Sequence, residues 1–254
     1  MKVLALDFDG VLCDSAREAF AVALRTFAEI FPEHALGAAN EADEALFARF
    51  VELIPLGNRA EDYGVELAAL ASGAVLPDQA AYDAFYASLS RERLRAFHRR
   101  FYEVRTAWAE RDHAGWLARM APYPGLGELL RRHASEVRLA IATAKDRASV
   151  RSILAAYGIS DLFADGLLLD KETGEKKHAH VAELAARARC DAADVTFVDD
   201  KVNHLEDVAP LGARCVLAAW GYNGPRERRI ARERGFLVCG LDTFEGEVFR
   251  SDRP

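Results

Sequence analysis

An apolar run at the start of the chain closes in Asp7-Phe8-Asp9-Gly10-Val11-Leu12, two carboxylates one residue apart followed by a glycine. In an extended segment residues i and i+2 project to the same side, so Asp7 and Asp9 are expected to share a face. Two like charges that close raise a pKa or demand a cation. A hard ion such as Mg²⁺ takes carboxylate and carbonyl oxygens and leaves the second carboxyl free to carry a proton. Taken alone, the same hexapeptide reads equally as a strand entering an Asp/Gly turn.

Two further polar groups terminate apolar runs, and a third opens a helical pattern between them. Thr143-Ala144-Lys145 follows 137–142 and offers a hydroxyl and backbone N–H groups that could hold phosphoryl oxygens, or simply enter a helix. Asp199-Asp200 follows Val195–Val198; two acids beside Phe197 and Val198 are costly without a cation, although a solvated loop is the bland reading. Lys176-Lys177 opens a helical pattern, against the macrodipole preference for acids there, which an anionic partner would justify.

These residues need elements to position them. Val3–Phe8 reads as a short buried strand. Ser15 with Glu18 predicts a capping box, and Phe20, Leu24, Phe27 and Phe31 follow at helical spacing. Helical patterns then dominate to about Met120: 42–53, 60–71, 78–89 and an Arg-rich stretch to about Glu110, with breaks at Pro32, Pro55-Leu56-Gly57, Gly73 and Pro77. After Pro122-Tyr123-Pro124-Gly125 the pattern alternates. Strands are predicted at 137–142, near 163–169, and at 195–198, 213–217 and 236–238; helices at 126–133, 147–157, 177–189, 203–210, 225–234 and 241–249. Asp146 is a predicted N-cap and Gly158 a C-cap. Repeated β-then-α units specify an α/β fold: a doubly wound, parallel-sheet, Rossmann-like core, whose ligands bind at the carboxyl ends of the strands. The first strand belongs to that sheet, so the expected division is a core of 1–14 plus 122–254 with an inserted all-helical cap at 15–121.

The 254 residues are 51% hydrophobic, enough for a packed core without disulfides or metals. Net charge is −7, which disfavours nucleic acid or an anionic membrane as partner. Cys13, Cys190, Cys215 and Cys239 show neither CxxC nor zinc-ligand spacing, so reduced thiols are expected. Lys2-Val3-Leu4-Ala5-Leu6 runs directly into Asp7 without the pattern of a secretory signal, and the apolar stretch Val65–Leu76 is interrupted by Glu66 and Gly73. A cytoplasmic protein follows as the expectation.

Taken together, the Asp7–Leu12 run, strand-end Thr143, a lysine and the Asp199-Asp200 pair resemble the haloacid dehalogenase-like hydrolase superfamily over essentially the full chain. The helical insert right after the first motif resembles the helical-cap subclass, where phosphoglycolate phosphatase-like and β-phosphoglucomutase-like members belong. The resemblance implies a Mg²⁺-dependent phosphatase acting on a small phosphorylated metabolite. In that reading Asp7 attacks phosphorus, and Asp9 protonates the leaving oxygen and then deprotonates the hydrolytic water. Thr143, with Ala144, binds the phosphoryl group and a lysine neutralises its charge. Mg²⁺ is held by Asp7, the Asp9 carbonyl and Asp200, with Asp199 as a direct or water-mediated partner. Lys177 fits the Lys-x-x-His-hydrophobic spacing better than Lys176 fits its alternative. Two departures stand out: Ala144 replaces the Asn of many relatives, and His204 stands where many have a further Asp. The phosphomutase of the same superfamily, and a silent domain that only binds a phosphorylated ligand, are the alternative readings.

Other features compete for attention. His178 and His180 point to different helix faces, which argues against a metal pair. The arginines at 91, 93, 95, 99 and 100 read as a solvated helix face in an acidic protein. Trp220-Gly221-Tyr222 follows a strand and reads first as core packing. Leu56-Gly57-Asn58-Arg59 is the candidate substrate-contact loop of the cap, with Arg59 able to fork onto a carboxylate or second phosphate.

Overall fold

The computed structural model describes residues 1–34, 36, 41–57, 59–174 and 176–249. The chain divides into two compact units, Met1–Asp14 with Ala121–Pro254, and Ser15–Met120.

The first unit carries the strands β1 (Val3–Leu6), β2 (Cys13–Asp14), β3 (Ala121–Pro122), β4 (Arg138–Ala142), β5 (Leu168–Leu169), β6 (Val195–Asp199), β7 (Arg214–Ala218) and β8 (Leu237–Cys239). Six of them form a parallel sheet in the order β5-β4-β1-β6-β7-β8. The chain works outward from β1 to β5, then crosses back and continues from β6 to β8 on the other side, so the strand order reverses between β1 and β6. That reversal opens the crevice at the carboxyl ends where α/β sheets bind ligands. Val3, Leu4, Ala5 and Leu6 are all buried, as both-face coverage of a parallel sheet requires. On one face, Val3 and Ala5 cluster with Phe197, Val181 and Leu184. The short antiparallel pair β2–β3 joins the two points where the chain leaves and re-enters this unit.

Helices α7 (Leu126–His133), α8 (Arg147–Ala156), α9 (Lys177–Ala188), α10 (Val202–Val208) and α11 (Pro225–Glu233) connect the strands, and α12 (Phe244–Phe249) follows β8. Asp146 caps α8 by accepting from the Ser149 N–H at 2.8 Å. The strand expected near 163–169 is reduced to Leu168–Leu169, because two single 3-10 turns, Ser160–Leu162 and Asp165–Leu167, occupy the approach to it.

The second unit contains α1 (Ala16–Ile30), α2 (Glu44–Leu53), α3 (Ala60–Ser72), α4 (Gln79–Ser88), α5 (Arg91–Arg111) and α6 (His113–Leu117). Asp43, Asp78 and Asp112 each accept from a backbone N–H three residues on and start α2, α4 and α6. Its core is aromatic: Phe20 meets Phe47 and Phe50, and Tyr63 meets Phe101. The capping box predicted at Ser15 and Glu18 does not form. Ser15 makes no side-chain cap bond. The fully buried Glu18 carboxylate instead accepts from Arg105 Nε (2.7 Å) and Nη2 (2.8 Å) and from Trp116 Nε1 (3.0 Å). A buried carboxylate is held more strongly by a bidentate guanidinium than by one backbone amide.

Candidate active site

Register puts the polar strand ends level with one another. Leu6 pairs with Ile141 on one side and Val198 on the other, so Asp7, Ala142 and Asp199 lie one residue further along. The Asp7 N–H continues the ladder to the Val198 carbonyl at 2.9 Å, and the Thr143 N–H reaches the Leu169 carbonyl at 2.9 Å. β1 nevertheless ends at Leu6, two residues before the expected Phe8. The Phe8 carbonyl accepts from the N–H groups of Leu12 and Cys13, each at 2.9 Å, and turns the chain at once. Gly10 completes the turn at φ +82°, and a Cβ there would lie 2.3 Å from Asp200 Oδ2.

Lys177 projects from the first turn of α9 into this edge. Its Nζ lies 2.7 Å from Asp7 Oδ1 and 3.4 Å from Asp199 Oδ2, and donates to the Ala142 carbonyl at 2.7 Å. Lys176 is exposed. Burial would lower the Lys177 pKa, but Asp7 and Asp199 outweigh it and raise it, so the ammonium is held charged. Asp199 accepts from the Lys201 N–H at 2.9 Å and faces His204 Nδ1 at 3.0 Å. Burial pushes Asp199 up, while His204 and Lys177 together hold it well below the ordinary carboxylate range. His204, noted as a departure from the family pattern, thus serves Asp199 directly.

Asp9 lies beyond the end of β1. Its carboxylate is paired with Lys145, whose Nζ is 3.0 Å from Oδ1 and 3.4 Å from Oδ2. Thr143 is buried and its Oγ1 accepts from the Lys145 N–H at 3.1 Å, which fixes the turn; Ala144 is exposed. Sequence reasoning weighed Lys176 and Lys177 and passed over Lys145, whose place two residues after Thr143 was the available signal.

Asp200 sits behind the Gly10 turn. Its Oδ2 accepts from the Tyr222 N–H at 2.8 Å, and Asn223 Nδ2 donates to its carbonyl at 3.2 Å. A Cβ at Gly221 would come within 2.3 Å of the Gly10 carbonyl oxygen, so only glycine lets the two turns meet. Trp220 Nε1 donates to the Val11 carbonyl at 3.1 Å and the Tyr222 hydroxyl to Asp14 at 2.9 Å. The Trp220-Gly221-Tyr222 segment therefore clamps the Asp7–Asp14 loop instead of only filling core.

The charges do not balance within the cluster. Asp7, Asp199 and Asp200 are 7%, 0% and 1% exposed. Burial raises the Asp7 pKa, with Lys177 opposing it; burial and the Asp199 charge raise Asp200 well above its ordinary value. Were all three ionised, Lys177 alone would not offset them, and the site would lack positive charge where their oxygens converge. Ligand atoms of Asp7, Asp199 and His204 lie within 4.8 Å of one another. This oxygen-rich donor set fits a hard divalent cation.

Arg59 lies in the helical unit, at the start of α3. Its side chain is 65% exposed and 3.7 Å from Glu61, while its own N–H donates to Asp62. Asn58 of the same candidate loop lies outside the described residues.

His180, one turn after Lys177, is 1% exposed, and neither ring nitrogen has a hydrogen-bond partner among the described residues. Burial and then the Lys177 charge lower its pKa; the backbone at Gly174 and at Asp170 and the Asp170 charge oppose them more weakly. Its folded pKa is thus below the ordinary value of about 6.5, so the unfolded chain takes the proton first. Stability is expected to fall as pH drops below about 6.5. Urea titrations at neutral pH and near pH 5.5 should show a smaller loss in His180→Gln; an identical loss in both proteins would remove His180 as the cause.

No curated protein matches the chain. Among solved structures, a predicted phosphoglycolate phosphatase of Haemophilus somnus superposes with a TM-score of 0.67 at 20% identity, covering 97% of each chain. A haloacid dehalogenase-like family protein of Streptococcus pneumoniae gives 0.68 at 15% identity, covering 99% of each chain. A predicted phosphatase of Clostridium acetobutylicum gives 0.61 at 12%, covering 98% of each chain. These likenesses establish the shared fold. Residues 1–206 match the haloacid dehalogenase-like hydrolase family, and the chain belongs to it.

Proposed function

We propose that this hydrolase is a Mg²⁺-dependent phosphatase that cleaves a small phosphate monoester through a phosphoryl group carried on Asp7. The observation that carries the reading is the buried Asp7–Lys177–Asp199 cluster at the carboxyl edge of the sheet, with the Asp9–Lys145 pair beside it. Phosphatase names among the similar structures agree with it.

An Asp7 oxygen attacks phosphorus and the bond to the ester oxygen breaks. Asp9 gives its proton to the departing alkoxide, so a neutral alcohol leaves and Asp9 is left ionised. Water then attacks the same phosphorus, passing a proton to Asp9; the Asp7–phosphorus bond breaks, and inorganic phosphate and the free carboxylate are regenerated. Lys177 offsets negative charge on Asp7 and the phosphoryl oxygens throughout. Lys145 holds the Asp9 carboxylate in place while its proton comes and goes. The Thr143 hydroxyl, with the backbone at Ala144, binds the phosphoryl group. Asp7, the Asp9 carbonyl and Asp200 would hold Mg²⁺, with Asp199 and His204 alongside, and the ion would supply the positive charge missing from the cluster.

A panel of phosphate esters assayed with Mg²⁺ and with EDTA tests the function. Turnover of at least one ester is expected, falling by roughly a thousandfold or more in chelator and restored by added Mg²⁺. Mg²⁺ should also raise the thermal midpoint, because it binds only the folded site. Equal activity in EDTA would rule out the metal, and no turnover across the panel would rule out the phosphatase.

Substrate discrimination belongs, in this reading, to the helical unit acting as a cap. Arg59→Ala is expected to lower kcat/KM about tenfold for substrates with a second anionic group, the size of one lost charge-assisted bond. Monoanionic substrates should be unaffected; a uniform loss, or none, would remove Arg59 from the specificity loop.

A further inference from the structure

Half of the twelve arginines in the helical unit form close ion pairs within it. Arg17, Arg25, Arg93, Arg100, Arg105 and Arg119 each pair with a carboxylate of the same unit: Glu44, Glu41, Glu33, Glu29, Glu18 and Glu41 respectively. Arg91, Arg95 and Arg99 do not; among the described residues no carboxylate lies within ion-pair distance of them. All three are exposed, on the same helix as the paired Arg93 and Arg100.

Their spacing is i, i+4, i+8. Successive Cα atoms along α5 are therefore about 6 Å apart, and the three span about 12 Å of one helix face. Like charges at this spacing destabilise a helix unless something offsets them. Although exposed, the stripe borders a concavity. With Arg59, Tyr86 and His98 it lines a cavity of about 570 Å³. Burial, then Glu61 and Asp62, raise the pKa of the Tyr86 hydroxyl, and Arg59 and Arg91 oppose them. The acid lining the cavity, Glu61, is already engaged: its Oε2 lies 2.5 Å from His98 Nδ1 and its Oε1 3.7 Å from Arg59. Four arginines thus line one groove, and its nearest acids, Glu61 and Asp62, are already engaged, Asp62 by the Tyr82 hydroxyl.

We infer that this groove is a binding site for a small oligoanion, a ligand with two or more phosphate-type groups set about one helical turn apart. Guanidinium forks match phosphate oxygens two at a time, and several on one face select for the number and spacing of anionic groups. A cavity of this volume suits a small molecule. The protein's net charge of −7 works against a long polyanion, whose phosphates would extend beyond the groove. The site is built from residues of the helical unit alone and does not depend on the chemistry at Asp7.

Calorimetric titration of the full chain with tripolyphosphate and with orthophosphate tests this. Titrating in EDTA leaves the carboxylates around Asp7 uncompensated and repelling anions. Tripolyphosphate should bind at least about tenfold more tightly than orthophosphate, since it engages one further guanidinium or more. The double variant Arg95→Gln, Arg99→Gln, both at exposed positions, should weaken tripolyphosphate at least about tenfold, the effect of a single lost charge-assisted contact. Arg100→Gln, whose parent side chain is paired with Glu29, should leave the affinity unchanged. Absence of tripolyphosphate binding, equal affinity for the two probes, or unchanged affinity in the double variant would overturn the inference. Tighter binding of a single-stranded oligonucleotide through the same arginines would also overturn it, in favour of a nucleic-acid surface.

Discussion

Asp7→Asn should cost turnover on the order of ten-thousandfold or more, the scale seen when a covalent nucleophile is removed. An amide is a poor nucleophile and a weaker ligand for a hard cation. The change should not unfold the protein. Asp7 is one of three buried carboxylates whose mutual repulsion and burial already disfavour its charge, and the amide keeps the side chain's shape. The check is kcat against the best ester of the panel together with a thermal melt: the melt should stay within a few degrees while kcat collapses. Activity close to that of the unaltered protein would end the assignment of Asp7.

The second large effect is expected at Lys177. Lys177→Met removes the ammonium buried against Asp7 and Asp199. Losing a preorganised charge aimed at the reacting group costs a factor of roughly 10²–10³ in kcat. Breaking one side of a buried ion pair also destabilises the fold, by about 3 kcal/mol. Activity must therefore be measured well below the melt, where the folded fraction is complete. Lys176→Met is the control, because Lys176 is its neighbour in sequence and is exposed. Equal losses in the two variants would mean that Lys177 acts on the stability of α9 and not on the reaction.

Much of this could be read from the residues in order. The doubly wound core was legible because buried parallel strands leave short apolar runs, and those runs end in Asp7, Thr143 and Asp199 where ligand chemistry belongs. What failed was decided by long-range partners. Ser15 and Glu18 carry the local signature of a cap, yet Arg105 and Trp116 claim the Glu18 carboxylate from far along the chain. Asp9 was expected on the strand but lies beyond its end, in the turn closed on the Phe8 carbonyl, where Lys145 from far along the chain pairs with it. The clamp by Trp220-Gly221-Tyr222 depends on two glycine turns meeting at a distance no other residue tolerates, which no local pattern announces. His204 was legible as an oddity of spacing, and its purpose at Asp199 became clear only with the geometry of α10.

The central claim is that a phosphoryl group resides on Asp7 during turnover, and the most direct test is to trap it in Asp9→Asn. An aryl phosphate, whose leaving group needs no proton, should still phosphorylate Asp7 in that variant, while hydrolysis stalls for want of a base. Mixing should release a stoichiometric burst of aryl alcohol. Acid quenching followed by peptide mass analysis should then find one phosphoryl group on the peptide containing Asp7, and borohydride reduction should convert Asp7 to homoserine. If neither the variant nor the turning-over parent enzyme carries a phosphoryl group, or if it sits on another residue, the account of this site is contradicted.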